Sequence, residues 1–417
     1  VSVADGPTTV PPPAVPLRKN RDFWLLWTGV GISALGGSVT RVTYPLLMIW
    51  FGGSAVDAGL VGFAALLPLL LLQLPAGVFV DRWDRRRTMI VCDAVSMVSI
   101  GSVGVALLLG HLWLPHLLVV AFVEGSAGIF YRLAERAAVR AVVHTDQLAT
   151  AMSRNEARSR GAGLLGQPLG STLFALVHWA PFVVTAVGHL VALGNLVRIK
   201  KEFRVERRAG PNRLGAEITE GVAWLFRQRF LRSAVLLVAS TNLLFQVLAL
   251  TLTVTVKEHG GSPAVIGIIG AASGVGGLCG ALSGSFFVRR MRPGTLMICT
   301  FAVWSLLMPM IGLTGNPVVL GALYSGMSFV GALINVMAGV YQVQVTPDEM
   351  QGRVGSVGSL VSSGTNSLGA LAAGFLLASF GTGNTVLGVS AVMAAVTLAA
   401  VLNPAIRTAE RVRIPDA

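Results

Sequence analysis

Apolar stretches of about 18 residues or more recur from one end of this 417-residue chain to the other. Each is long enough to cross about 30 Å of hydrocarbon as a helix. Charged residues make up 12% of the chain, against roughly 25% in a soluble domain, so water cannot be its main solvent. The expected fold is an all-α membrane protein with twelve transmembrane helices. The spans fall at roughly 23–50, 56–80, 88–110, 114–139, 159–179, 181–199, 233–256, 264–288, 293–314, 317–345, 353–379 and 384–404. Short breaks rich in Gly and Pro, such as Gly260-Gly261-Ser262-Pro263 and Gly315-Asn316-Pro317, mark the turns on one side.

Charge placement orients these spans. Of the 32 Lys and Arg residues, all but Arg41 and Lys257 fall in the other set of loops and in the two tails. Cationic loops stay on the cytoplasmic side, so both tails are expected there and the number of spans is even. The location implied is the inner (cytoplasmic) membrane. The net charge of +13 thus reads as a topology signal with some attraction to anionic lipid, not as a nucleic-acid footprint.

Residues 1–22, with Pro7, Pro11, Pro12, Pro13 and Pro16 and no apolar core, read as a disordered cytoplasmic tail rather than a cleaved signal. The longest basic loop, 200–232, separates two six-span halves, 23–199 and 233–405, with a short tail at 406–417. Within the loop, Leu214, Ile218, Val222, Leu225 and Phe226 recur at helical spacing, which predicts an amphipathic helix on the inner membrane surface. The halves look related. Ala58-Gly59-Leu60-Val61-Gly62 opens span 2, and Gly77 and a basic turn close it. Ala264-Val265-Ile266-Gly267, Gly284 and a second basic turn repeat that order in span 8. Internal repeats of this kind point to transporters, with the binding site between repeats near mid-membrane. The 49 glycines suit close helix packing in lipid. Cys92, Cys279 and Cys299 lie far apart in apolar segments, without metal-ligand or redox spacing, and no metal or organic cofactor is implied.

The turn from Gly77 through Asp81, Arg82 and Asp84 to Arg85, Arg86 and Arg87 resembles the loop 2–3 signature of the major facilitator superfamily, with Asp84 in place of the usual Gly. That Asp, and the segment Thr346-Pro347-Asp348-Glu349-Met350-Gln351-Gly352-Arg353-Val354, look like the drug-exporter branch that includes macrolide and enterobactin exporters. Gly166, Pro168 and Gly170 are similar to the fifth-span antiporter motif, although Gln167 is inserted and Ser171 replaces the last Gly. The resemblance implies two pseudo-symmetric six-helix bundles. It implies that Gly77, Asp81 and Arg85 latch the outward-open state against span 11. Charge-assisted hydrogen bonds at helix ends can hold one conformation in this way. Asp93, just inside span 3, joins this latch set and is expected to partner Arg132, Arg136 or Arg158.

Ionisable residues inside a membrane are functional candidates by default. Arg41 in span 1 and Glu124 in span 4 each lie roughly 14 Å below the outer surface, at about 1.5 Å per residue. The resemblance implies that both spans line the cavity of the amino-terminal half. Equal depth and opposite charge make them an expected ion pair, with Glu124 the proton-coupling carboxylate. His189, alone in span 6, reads as a packed, hydrogen-bonded residue rather than a ligand. The carboxyl-terminal half offers neutral groups instead: Asn242 and Gln246 on one helix face, Asn335, Tyr341 and Asn366. With Phe245, Trp304 and Phe329 they would line a mostly apolar substrate pocket.

No phosphate-binding loop and no polar catalytic cluster is present, so neither an ATP-driven pump nor an enzyme is indicated. The expected function is export of a hydrophobic or amphipathic small molecule, such as an antibiotic, siderophore or other metabolite, by proton antiport as a monomer. The alternative is an importer or facilitator of a small nutrient. A receptor or scaffold fits poorly with the two-half organisation.

Overall fold

The computed structural model describes residues 16–199, 203, 214–347 and 350–409. Residues 1–15 and 410–417 of the expected tails, and 200–202 and 204–213 of the basic loop, lie outside these residues; the end of the first tail is helical, with Leu17–Lys19 in a 3-10 turn and Arg21 opening α1. Among the described residues the only regular structure is helical. Helices α1 (Arg21–Trp50), α2 (Ala55–Arg82), α3 (Arg85–Leu108), α4 (Leu114–Val142), α5 (Leu148–Leu176) and α6 (Ala180–Arg198) form the first bundle. Helices α8 (Arg229–Glu258), α9 (Pro263–Arg290), α10 (Pro293–Ile311), α11 (Pro317–Val345) and α12 (Gln351–Leu402) form the second. The short α7 (Leu214–Arg227) precedes the second bundle, and α13 (Pro404–Arg407) follows it.

Local chemistry fixes where these helices start. Ser54 and Asp57 form a reciprocal capping box on α2. Pro263, Pro293 and Pro317 open α9, α10 and α11, where a missing N–H costs nothing. Asp84 caps α3, its side chain accepting from Arg87 N at 2.7 Å. The departure from Gly at this position therefore has a local purpose, satisfying an N–H that the helix start would leave bare.

Ten of the described helices are long and apolar enough to cross a membrane. Two more spans account for the twelve expected. Helix α12 has 52 residues and would run roughly 78 Å if straight, far more than one bilayer needs. It bends at Gly381, whose φ of 73° is left-handed, and so holds spans 11 and 12 as two arms. Helix α5 starts at Leu148 rather than near 159. Its first turns carry Arg154, Glu156, Arg158 and Arg160, which hide its helical start from a hydropathy reading.

Lipid tails are as apolar as Leu, so helices here must be held by close packing and polar contacts. On α9, Gly276 and Gly280 are four apart and lie against the backbones of Ser325 and Phe329 on α11, so close that a Cβ at either would strike a carbonyl oxygen. The two bundles meet in the same fashion. Gly59 of α2 would carry a Cβ 2.8 Å from the Cα of Gly374 on α12. Gly267 and Gly270 of α9 sit against Pro168, Ser171 and Gln167 of α5. Lys257 Nζ, at the end of α8, donates to the carbonyl of Ile49 at the end of α1. These approaches run from the face bearing the Gly/Pro turns to about mid-depth. At the basic face, Gly77 has nothing within 4 Å of where its Cβ would stand. Among the described residues, the close approaches between the bundles thus gather towards the turn face rather than the basic face.

Helix α7 occupies the loop where an amphipathic helix was expected, but it docks on protein rather than resting on lipid alone. Leu225 packs with Leu231, Val354 and Val357, and Glu220 accepts from Arg353 at 2.6 Å.

Gly280→Val should destabilise the second bundle by about 1–3 kcal/mol through overpacking. The measurement is thermal unfolding of the detergent-purified protein. Gly339→Val on α11, where a Cβ would meet nothing within 4 Å, is the control and should unfold with the wild type.

Candidate functional site

The first bundle surrounds a cavity of about 470 Å³ that opens at the basic face. Its walls come from α1 to α6, with Ser363 and Asn366 of α12 on the far side. The volume lies within the range of small-molecule sites.

Glu124 of α4 stands on this wall. Its carboxylate is held by α1, where Thr40 and Tyr44 are four apart and so share a face. Thr40 Oγ1 donates to Oε1 at 2.5 Å, and the Tyr44 hydroxyl donates to Oε2. Both donors are almost wholly buried. Arg41 lines the same cavity but is exposed and forms no ion pair with Glu124. The expected pair is therefore corrected. One residue beyond Thr40 turns the helix by about 100°, which points Arg41 into the cavity rather than at the carboxylate.

The second acid also finds other partners. Asp93 of α3 is 1% exposed, and its Oδ1 accepts from Ser33 Oγ and pairs with His189 Nδ1, both at 2.8 Å. The expected arginine partners are absent. Arg158 is spent on a buried ion pair with Glu135, while Arg132 and Arg136 face the cavity. The cause is topological: α6 packs along α3 and brings His189 to the carboxylate. Asp93 thus belongs to the interior of the first bundle and not to a latch at its end.

Of the remaining latch residues, Arg85 turns to its own bundle. Arg85 Nη1 donates to the Ala137 carbonyl at 3.3 Å. Arg86 donates to the carbonyls of Leu196 and Val197 and so caps the end of α6. Asp81 falls in the last turn of α2, and its side chain lies outside the described residues. In the antiporter-like segment, Gly166 and Gly170 seat α5 on Ser38 and Val39 of α1. Pro168 lies against Gly267, and the inserted Gln167 reaches across to the Ile266 carbonyl at 3.4 Å. These residues build the α5–α1 and α5–α9 contacts.

Of the five substrate candidates, Asn366 lines the cavity. Asn242 instead donates to the Ser362 carbonyl at 2.8 Å, tying α8 to α12. Gln246 packs against Gly369, Asn335 is exposed, and the Tyr341 ring lies tilted against Phe230 at 4.4 Å between centroids. Trp304 donates to the Met327 carbonyl and meets Phe245 edge-on at 4.7 Å, so these aromatics fill the second bundle rather than line a pocket. Sequence reasoning missed Ser33, Thr40 and Tyr44. The spacing of Thr40 and Tyr44 around Arg41 was the available signal: two hydroxyls on one face of an apolar helix need a partner.

Comparison with known proteins agrees with this geometry. A family profile described as "Transmembrane secretion effector" matches residues 12–415. The multidrug efflux pump Tap of Mycolicibacterium fortuitum is 26% identical over 388 residues, covering 89% of this chain and 93% of that protein. Macrolide efflux protein A of Streptococcus pyogenes is 25% identical over 281 residues, 64% of this chain and 68% of that one. Among solved structures, the nucleoside transporter NupG superposes with a TM-score of 0.74 at 12% identity, covering 94% of this chain and all of that one. An inward-facing bacterial homolog of the human lysosomal transporter Spinster superposes at 0.72 and 16% identity, covering 96% of this chain and all of that one. By profile and by fold, the chain belongs to the transmembrane secretion effector family of major facilitator transporters and is not an enzyme.

Proposed function

We propose that the chain exports a hydrophobic or amphipathic small molecule from the cytoplasm in exchange for protons. The observation that carries this reading is Glu124, a carboxylate held by two buried hydroxyls on the wall of a cavity that opens at the basic face. The positive-inside rule makes that face cytoplasmic. The state described is then the one that takes up cargo from the cell or its inner leaflet. Efflux by the multidrug pump Tap and by macrolide efflux protein A supports the direction.

The ionised carboxylate accepts from both hydroxyls, whereas a protonated one must donate from one oxygen. Loading a proton on Glu124 therefore reverses one of its two bonds to α1. Helix α1 carries these donors at its middle and the Ile49 gate acceptor at its end. A change in the carboxylate is in this way transmitted to the closed face. Cargo in the cavity and a proton on Glu124 compete through the same helix, which is the logic of alternating exchange. Gly77, Asp81 and Arg85 act in the opposite state, when the basic ends of the bundles close on α12.

The test is dye-monitored proton flux in respiring everted vesicles, with ethidium and a macrolide as trial cargo. Wild type should dissipate the gradient when cargo is added, and Glu124→Gln should lower this flux by more than about tenfold. Export at the wild-type rate with full gradient dependence in Glu124→Gln would remove the carboxylate from the mechanism. Cargo accumulation in right-side-out vesicles instead would mark an importer. Gly59→Val, which cannot close the turn face, should slow turnover by about tenfold or more, since even small misplacements remote from the chemistry cost that much. The readout is ethidium efflux at matched expression.

A further inference from the structure

Asp93 and His189 are used by nothing derived so far, yet both line the cavity. Asp93 Oδ1 takes two donors, and the Tyr131 hydroxyl is a further hydrogen-bonding neighbour of the same carboxylate. On the other side of the pair, His189 Nε2 is buried and unpartnered. A buried polar atom without a partner is costly, so His189 Nε2 points to a state in which it is satisfied.

The charges facing the pair sharpen the point. From α1 come Ser33 and, further along, Arg41; from α4 come Glu124, Tyr131, Arg132 and Glu135. Arg158 of α5 is occupied by Glu135. On α3 itself the neighbour is Cys92. Among the described residues, His189 is the one ion-pairing partner within reach of Asp93. With a neutral imidazole, the pair holds a net negative charge inside the bundle. One added proton makes it neutral overall.

We propose that Asp93 and His189 form a second proton-binding site, loaded through the cavity and separate from Glu124. The Nδ1–H donated to Asp93 sets the ring tautomer and leaves the Nε2 lone pair free. A proton passes from cavity water to Nε2, giving an imidazolium against the carboxylate, and leaves by the same route. No other bond is made or broken. The proton belongs to the pair as a unit. Its use in coupling rests on the antiport reading above; its binding does not.

The binding test is nitrogen NMR of the full chain in nanodiscs with labelled histidine, His189→Gln assigning one of the six histidines. The His189 ring should show both a neutral and a charged form as the bulk pH is varied. Asp93→Asn should weaken proton binding by about tenfold, as loss of an adjacent opposite charge does, and Ser33→Ala by less. If Asp93→Asn fails to fold, Ser33→Ala carries the comparison. A ring that keeps one form throughout, or folded variants that titrate like wild type, would overturn the site. The coupling test is ethidium accumulation in proteoliposomes under an imposed pH gradient at zero membrane potential. Each coupled proton contributes a factor of about ten per pH unit. His189→Gln should therefore accumulate about tenfold less per unit of gradient than wild type. Equal accumulation would overturn the coupling role. A wild type indifferent to the gradient would overturn the antiport reading instead and leave the NMR result to stand.

Discussion

Hydrocarbon gives one apolar helix no solvent-driven reason to prefer another helix over lipid, and the whole architecture follows from that. Association must come from backbones brought close enough for dispersion and dipole contacts to accumulate. Gly276 and Gly280 do this within the second bundle, Gly166 and Gly170 within the first, and Gly59, Gly267 and Gly270 between the two. Because the interbundle contacts are made by small residues over a limited depth, they are tight without interlocking. Such a seam can part and re-form with the bundles intact, as a transporter that alternates its opening requires.

Polar chemistry is divided unevenly over this frame. The first bundle holds the buried acids, Glu124, Asp93 and Glu135, each with partners on a different helix. In the second bundle polar side chains mostly join its own helices, as Asn242 with Ser362 and Trp304 with Met327 illustrate. One bundle can thus respond to charge while the other serves as a stiff counterpart. Burying charge is expensive, and confining it to one bundle leaves the other to be packed for rigidity.

Much of this was legible in the chain. Apolar run lengths and Gly/Pro breaks located nearly every span, and the asymmetry of Lys and Arg predicts which face is cytoplasmic. Helix α5 was placed late because its charged first turns look like loop to a hydropathy scale, and span 11 was separated from span 12 only by a glycine bend. Site residues were harder. The depth of Glu124 along α4 followed from counting, but its partner depended on rotation about α1, where Arg41 and Thr40 differ by one residue and point apart. Asp93 and His189 are 96 positions apart, and only the packing of α3 on α6 reveals them as a pair. For the second bundle, polar residues that could have lined a pocket turned out to tie helices together, because sequence spacing does not say which side of a helix faces its neighbour.

The clasp at the turn face joins a lysine to a main-chain carbonyl and uses no acid. The end of a helix is already a centre of partial negative charge, and a cation there is favoured without a carboxylate. A carbonyl has no ionisation to lose. Acidity outside the cell, the very resource a proton-driven exporter draws on, would therefore leave this clasp fastened. In the exchange proposed above, release is left to a change passed along α1, and such a gate answers to the state of the interior and not to the medium it faces.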